Sequence, residues 1–392
     1  MNLYLHFPFC RSKCAYCALH SYVGHSEEDR RNYVSGIIRQ LAHLFASTRN
    51  WKLKTQNSKL STLYFGGGTP ALCNLQPLLD FFAPQLSSPI PHPSSRNQKP
   101  KTKNSKLETR DPEPGTLNSQ LSTLNSQPST EFTVELNPLD VSPELLRQLK
   151  TGGVNRLSMG VQSFDEATLR AMGRPHTAEQ ARAAWRQIRE AGFDNAGIDL
   201  ICGWPDERRN GAVSDAWRRT LDAAAELAPD HCSVYTLILE PKTHLARDVA
   251  NGRITLPSDD VALAELAAAE QALAAIGLER YEISSFAKPG WECRHNLATW
   301  RGEDYIGIGD GACSREGNAV SRVIFRLRLL KEGFSPAQAA AEFPELAPRV
   351  AEWCATLDRF VAEGLLTSHP SNTYLLTSRG TEVCDTILAE LV

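Results

Sequence analysis

Three cysteines near the amino terminus have the residue type and spacing of ligands for an iron-sulfur cluster. Cys10, Cys14 and Cys17 follow a short apolar run in the pattern C-x3-C-x2-C. Three thiolates suit a [4Fe-4S] cluster in which one iron has no protein ligand. Chemistry can begin at that open iron, just as an open coordination position distinguishes catalytic from structural zinc sites. The cysteines therefore predict a reactive iron-sulfur centre.

A glycine triplet lies at the end of the second predicted strand. In the stretch Gly66-Gly67-Gly68-Thr69-Pro70 the backbone can turn tightly and bring its N–H groups close to a polar ligand. The stretch is neither a P-loop nor a dinucleotide fingerprint, because the Lys-Ser/Thr pair and the second helix-opening glycine are absent. A turn without a ligand is the alternative interpretation, but the position near the cysteine loop favours binding.

Polar side chains accompany the next three predicted strands. Glu135 ends the third, Gln162 follows the fourth and Asp199 lies in the fifth. A salt bridge or a helix cap would explain each one alone, whereas the three together favour a bound polar ligand, since buried carboxylates need partners. Arg174 could neutralise a carboxylate of that ligand.

Short strand-like runs alternate with helical patterns from residue 3 to residue 239, which is typical of an α/β protein with a parallel sheet. The six predicted strands are 3–7, 62–65, 131–136, 156–159, 195–201 and 231–239. Six such units predict a partial (β/α)6 TIM-like barrel. Right-handed crossovers place the carboxyl ends of all its strands on one rim, where barrel enzymes build their sites.

We divide the chain into a predicted barrel (1–240), a flanking extension (241–317) and a small helical domain that resembles a winged helix (318–392). Residues 87–130 are rich in Ser, Pro, Asn, Gln and Lys and cannot bury enough apolar surface to offset the entropy of ordering, so we expect a disordered insert there. Beyond the barrel we predict helices at 259–276, 322–331, 335–342 and 348–363, a strand at 279–283 and one final helix.

The charge balance favours neither nucleic acid nor a membrane as a partner. The 392 residues include 42 basic and 45 acidic side chains, and no apolar stretch is long enough to be a transmembrane segment. From residue 321 onward seven basic residues accompany nine acidic ones, which disfavours DNA reading by the last domain. The other cysteines are scattered singly and the amino terminus has no signal peptide pattern, so we predict a cytoplasmic protein with reduced thiols.

Taken together, the motifs resemble the radical S-adenosylmethionine enzymes of the oxygen-independent coproporphyrinogen III oxidase family. The resemblance covers nearly the whole chain outside the insert. It is carried by C-x3-C-x2-C, Gly66-Gly-Gly-Thr-Pro70, Glu135 before Asn-Pro, Gly160-Val-Gln-Ser-Phe164 and Asp199-Leu-Ile-x-Gly203-x-Pro205.

That resemblance implies that S-adenosylmethionine (SAM) chelates the open iron. One electron from the cluster, supplied by a donor such as a flavodoxin or ferredoxin, would then cleave SAM to a 5′-deoxyadenosyl radical. The resemblance also implies which residues hold SAM, namely Tyr4, Tyr16, Gly67, Gly68, Thr69, Glu135, Gln162, Arg174 and Asp199.

A further motif is similar to the heme-chaperone branch of that family, whose HNxxYW motif is associated with heme binding. Here His295-Asn is followed by three residues and Trp300, with Thr299 in place of the tyrosine. The resemblance implies heme as a ligand and an acceptor hemoprotein as a partner. His295 could serve as the axial ligand and Trp300 as a flat apolar face, while Cys293 and Cys313 are alternative thiolate ligands.

Three functions stay open at this point. Leu19 stands where the decarboxylating oxidases of the family usually carry a fourth cysteine, which favours a heme chaperone. The alternative enzyme is an oxygen-independent coproporphyrinogen III oxidase, which converts two propionates to vinyl groups. A zinc or thiol-redox protein using Cys14 and Cys17 alone would need neither the third cysteine nor the glycine triplet.

Overall fold

The computed structural model describes residues 1–47, 60–86, 130–206, 211–315, 318–369 and 372–392. Apart from Thr130, the predicted insert 87–130 lies outside these residues. The strands are β1 Asn2–Phe7, β2 Thr62–Gly67, β3 Glu131–Leu136, β4 Arg156–Gln162, β5 Ala196–Cys202, β6 His231–Thr236, β7 Glu279–Arg280, β8 Ser285–Ala287, β9 Tyr305–Ile308, β10 Leu366–His369 and β11 Thr373–Leu376.

The α-helices are α1 Glu27–Ser47, α2 Gln76–Leu86, α3 Pro143–Thr151, α4 Glu166–Ala171, α5 Ala178–Glu190, α6 Asp215–Leu227, α7 His244–Ala250, α8 Asp259–Ala275, α9 Arg294–Arg301, α10 Ala319–Ile324, α11 Pro336–Glu342, α12 Val350–Ala362, α13 Ser378–Glu382 and α14 Cys384–Ala389. None of the helices in the described ranges has the length and apolar character needed to span a bilayer.

Six parallel strands form the centre of one large sheet. They lie in the order β6-β5-β4-β3-β2-β1, so each strand pairs with its neighbour in sequence. Successive βα units with right-handed crossovers produce this order. The predicted α/β fold class is confirmed. The extension adds β9, which lies parallel beside β1, and the antiparallel strands β8 and β7 beside β6.

The central strands have an apolar face and a polar face. In β1 the side chains of Leu3, Leu5 and Phe7 are fully buried in the main hydrophobic core. Tyr4 and His6 lie between them and therefore point to the opposite face, because side chains alternate along a strand. The polar face extends along the sheet toward the carboxyl ends of the strands, where the cysteine loop follows β1.

The last part of the chain packs around a second core. Its helices and the antiparallel hairpin β10–β11 enclose Phe334, Trp353, Leu357 and Phe360. The helical character predicted for this region is confirmed, and its final helix is divided into the short helices α13 and α14.

Several predicted elements have different bounds in the structure; β4, for example, runs to Gln162 instead of residue 159. The sixth strand was predicted to reach residue 239 but ends at Thr236, because the following apolar residues leave the sheet. The predicted strand at 279–283 is replaced by the short strands β7 and β8. The helix predicted at 322–331 begins at Ala319, where the Asn318 side chain accepts a hydrogen bond from the Ser321 amide at 2.9 Å, and tightens into a 3-10 turn over Phe325–Arg328.

Candidate functional site

The three cysteines lie in the loop after β1 and line a cavity of about 530 Å³ at the carboxyl ends of the strands. Backbone hydrogen bonds hold the loop: the Cys10 amide donates to the Tyr22 carbonyl at 2.8 Å, and the Cys17 amide donates to the Cys14 carbonyl at 3.2 Å. All three thiols are free and partly buried. Burial raises the pKa of Cys10 and of Cys17, so their thiolates need a nearby positive charge such as a metal centre.

Whether the cysteines bind metal remains a prediction. Within the described ranges no three His, Cys, Asp or Glu side chains are already placed around one metal position. The donor set nevertheless fits an iron-sulfur cluster, because three unpaired soft ligands from a single loop line one cavity.

The glycine triplet packs directly against this loop. Gly67 has a φ of +104°, and a Cβ atom there would lie 2.5 Å from the His6 ring. A Cβ atom on Gly68 would lie 2.6 Å from the Phe9 carbonyl oxygen and 3.0 Å from Cys10 Sγ. Only glycine allows the second strand to come so close to the cysteine loop.

We therefore expect Gly68→Ala to displace the segment that carries Cys10, to cost about 1–3 kcal/mol of folding free energy and to lower the iron content after reconstitution. The matched control is Gly36→Ala in α1, where the nearest atom is Arg39 Nη2 at 3.8 Å and alanine should stabilise the helix by up to about 1 kcal/mol. Iron analysis and denaturant titration measure both effects. Equal iron contents in the two variants would contradict this account.

Two half-buried carboxylates form the polar floor of the cavity. Glu135 accepts hydrogen bonds from the Tyr64 hydroxyl at 2.7 Å and from the Gly67 amide at 3.0 Å. Burial raises its pKa to about 7. Asp199 accepts from the Ser158 hydroxyl at 3.2 Å, and burial raises its pKa as well. The two groups offer negative charge and acceptor oxygens to a cationic ligand.

Arg174 connects the floor to the cysteine loop. Its guanidinium donates to the Asn137 side-chain oxygen and to the Gly160 carbonyl, both at 2.6 Å, and to Cys14 Sγ at 3.4 Å. Asn137, which sequence reasoning did not select, also donates to the Thr69 hydroxyl at 2.7 Å. Its signal was present in the Glu-Leu-Asn-Pro segment that ends β3.

Gln162 has an unusual backbone conformation that no sequence pattern predicted. Its φ is +73°, and the pairing between β4 and β5 shifts between Gly160 and Gln162. A non-glycine residue with positive φ is strained and is often found at functional sites. The shift ends β4 at the cavity, which Gln162 lines.

The two tyrosines implied for SAM binding are placed differently. Tyr16 lines the cavity, and its ring meets Trp204 edge-on with a centroid distance of 6.0 Å. Tyr4 is not among the lining residues that the structure describes. Its hydroxyl is 3.0 Å from His6 Nδ1, and its ring packs beside Tyr64 on the polar face of the sheet.

The structure places His295 away from the cysteines. His295 lies in the first turn of α9 and is 8% exposed. Its Nδ1 is 2.8 Å from the hydroxyl of Thr62, the first residue of β2, so the ring lies at the amino ends of the strands, opposite the cavity. Burial lowers the pKa of His295 to about 4, so its ring is neutral at neutral pH.

The other candidate heme residues also lie outside the cavity wall. Trp300 follows on α9, with the Arg328 guanidinium 4.6 Å from its ring centroid. Cys293 is fully buried beside Glu131, and burial raises its pKa to about 12, whereas Cys313 is exposed. The structure therefore brings together the residues predicted for the cluster and, except for Tyr4, those implied for SAM, but not those predicted for heme.

Comparisons with known proteins identify the family of the chain. Residues 4–216 match the radical SAM superfamily. The chain is 33% identical over 315 residues to the heme chaperone HemW of Escherichia coli (strain K12), which covers 80% of this chain and 69% of that protein. It is 28% identical over 421 residues to HemW of Mycobacterium tuberculosis (strain ATCC 25618 / H37Rv), covering 100% and 94%.

The structure is similar to coproporphyrinogen III oxidase (HemN) from Escherichia coli, which is a radical SAM enzyme. The TM-score is 0.70 at 20% sequence identity, and the similarity covers 100% of this chain and 89% of that one. At this identity the similarity concerns the fold alone.

Proposed function

Because the chain belongs to the radical SAM superfamily and, within it, to the HemW family, we propose that it carries a [4Fe-4S] cluster and SAM, binds heme and transfers the heme to an acceptor hemoprotein. A flavodoxin or a ferredoxin would supply electrons to the cluster. The family resemblance inferred from the motifs is confirmed. The observation that supports the proposal is that the cysteine loop and the polar strand ends line one cavity.

Cys10, Cys14 and Cys17 would hold the cluster, and the polar floor would hold SAM. When bound, the two groups supply reductive cleavage of the sulfonium bond. Glu135 and Asp199 would place negative charge in the half-buried floor of the cavity, opposite the cationic groups of SAM. Arg174, which lines the cavity, would receive the carboxylate of SAM. The ten cysteines are all free, which suits a reducing compartment, and we place the protein in the cytoplasm.

Binding of SAM should depend on pH through Glu135. Because burial raises the pKa of this carboxyl to about 7, it is largely protonated at pH 6 in the free protein and must lose its proton to oppose a cation. We expect the affinity for SAM to fall below pH 7 by up to about tenfold per pH unit. Equilibrium dialysis between pH 6 and pH 8 measures this.

The effect on stability has the opposite sign. Since the pKa is raised in the folded state, the stabilisation due to Glu135 is complete below the ordinary value of 4.5 and is lost as pH rises through about 7.

The control for the binding experiment is Glu135→Gln, which should bind SAM weakly and with an affinity that does not change between pH 6 and pH 8. A wild-type affinity that is constant from pH 6 to pH 8 would exclude the mechanism.

The proposed function is tested by anaerobic reconstitution followed by heme titration and transfer of the heme to an apo-globin. The wild-type protein should contain about four iron atoms per chain and bind one heme. Cys14→Ser should lose the cluster, and Cys354→Ser, a cysteine in α12, should keep it. Formation of protoporphyrinogen from coproporphyrinogen III with turnover would instead establish the oxidase, and zinc at the thiols would exclude both functions.

A further inference from the structure

Large apolar side chains are exposed around the mouth of the cavity. In the part of the chain that the structure describes, seven large apolar side chains are exposed, and three of them line this cavity. The three are Leu19, which is 54% exposed, Tyr235, which is 46% exposed, and Ile238, which is 69% exposed. Exposed apolar side chains that gather at one place mark a binding surface.

These side chains come from two different loops. Leu19 follows Cys17 by two residues, while Tyr235 and Ile238 lie at and just beyond the carboxyl end of β6. Between these two residues, the Leu237 amide still donates to the carbonyl of Cys202, the last residue of β5, at 3.0 Å. The cavity therefore has a polar floor, formed by the strand ends, and an apolar rim contributed by loops.

Two cations adjoin the apolar rim. Lys13 Nζ donates to the Leu19 carbonyl at 2.6 Å and to the Ser21 hydroxyl at 2.7 Å, so its charge lies beside Leu19. Arg11 also lines the cavity, and its side chain is 54% exposed although it pairs with Asp140 at 2.6 Å. An apolar surface flanked by cations complements a flat apolar molecule that carries carboxylates.

We infer that heme binds across the mouth of this cavity, with its macrocycle against Leu19, Tyr235 and Ile238 and its propionates toward Lys13 and Arg11. The inference rests on the proposed function and names the place of its ligand. Heme in this position lies directly above the polar floor that would hold SAM.

The alternative site at the HN-x3-W segment is closed in this structure. His295 is buried and its Nδ1 is held by Thr62 at 2.8 Å, while the amides of Arg294 and His295 donate to Glu131 at 2.9 and 3.0 Å. Heme would reach this ring only if the first turn of α9 moved away from Thr62 and Glu131. The rim, in contrast, is already open to solvent.

The experiment is a heme titration of the full-length protein after anaerobic reconstitution and loading with SAM, followed by the Soret band. We expect the double variant Leu19→Ser/Ile238→Ser to bind heme at least about tenfold more weakly. The control is Val383→Ser, which removes an exposed apolar side chain from the C-terminal region and should bind like the wild type. Cluster absorbance and thermal melting show whether each variant is folded.

A second measurement follows from the position of heme above the floor. Heme should slow the exchange of labelled SAM from the wild-type protein, because it covers the exit, and should slow it much less in the double variant at the same heme concentration. This reciprocal effect is not expected if heme binds at α9.

The outcomes separate the two proposals. If the wild-type protein takes up no heme in a saturable manner, both proposals are wrong. If wild type and double variant bind heme equally, the rim is not the heme site, while the proposed function stands. Equal heme affinity with slower transfer to the apo-globin would overturn the inference and make the rim a docking surface for the acceptor.

Discussion

Replacing Glu131 by alanine is expected to lower the free energy of unfolding by about 3–5 kcal/mol, because it removes a negative charge that stabilises a buried guanidinium and leaves two backbone amides without their acceptor. Glu131 begins β3 and is 4% exposed. Its carboxylate accepts from the amides of Arg294 and His295, and Cys293 Sγ lies 3.6 Å away. It therefore satisfies the free amides at the start of α9.

The charge at stake is that of Arg156. This side chain is 1% exposed, and within the described residues its Nε and Nη1 have no hydrogen-bond partner. Burial opposes the charge, yet the neighbouring Cys293 and Glu131 raise the pKa of the guanidinium. Because burial raises the pKa of Cys293 to about 12, that thiol is neutral at neutral pH. Glu131 is then the carboxylate that most raises the pKa of Arg156, and Glu135 and Asp199 also interact with this guanidinium.

The control for Glu131→Ala is Glu332→Ala, whose carboxylate pairs with Arg301 at 2.5 Å with both side chains exposed. We expect the control to cost less than about 1 kcal/mol. Adding Arg156→Met to Glu131→Ala should recover part of the loss, since the buried charge that Glu131 stabilised is then gone. Denaturant titration gives all three values. If Glu131→Ala costs no more than the control, Arg156 is balanced in some other way.

This network gives the HN-x3-W segment a structural role at the amino ends of the strands. The first turn of α9 is fixed by Glu131, and the His295 ring is fixed by Thr62. The segment thus attaches the extension to the central sheet, and the helix carries Trp300 toward the C-terminal core, where Arg328 packs over it. Both ends of the central strands carry polar side chains, but their roles differ. The carboxyl ends carry the candidate site, and the amino ends hold the extension.

The central sheet was predictable because each of its strands has its own pattern in the sequence. Buried parallel strands are short apolar runs separated by helices, so each strand can be predicted from its own local sequence. The same property caused the error at the sixth strand. The apolar residues after Thr236 continue the pattern, but Ile238 is 69% exposed at the cavity rim. A pattern of apolar residues does not distinguish a buried strand from an exposed loop.

The candidate site was predictable where it depends on strand ends. Parallel strands bring their carboxyl ends together whatever the loops do, so the cysteines, Glu135 and Asp199 were expected on one rim. The position of His295 depends instead on contacts with Thr62 and Glu131, which are more than 160 residues away in sequence. No local pattern indicates such contacts. The positive φ of Gln162 is likewise a result of the pairing between β4 and β5.

Replacing Arg174 by methionine is expected to weaken SAM binding at least about a hundredfold and to lower the stability of the cluster. The guanidinium satisfies the Asn137 side chain and the Gly160 carbonyl, both at 2.6 Å. Methionine has a similar length but no donor, so it leaves both acceptors unpaired in a partly buried place. Loss of a charge-assisted hydrogen bond and of its partners costs several kcal/mol in such an environment.

The contact between Arg174 Nη1 and Cys14 Sγ at 3.4 Å predicts a second effect of the same change. A positive charge beside a cluster ligand favours the reduced cluster, so Arg174→Met should lower the reduction potential of any cluster that still forms. Equilibrium dialysis of SAM and an anaerobic redox titration measure the two effects. The control is Arg186→Met, which removes an exposed partner of Glu179 on α5 and should change neither. If Arg174→Met matched this control in both measurements, the guanidinium would only hold the cysteine loop in place. The carboxylate of SAM would then have to bind to another cation on the rim.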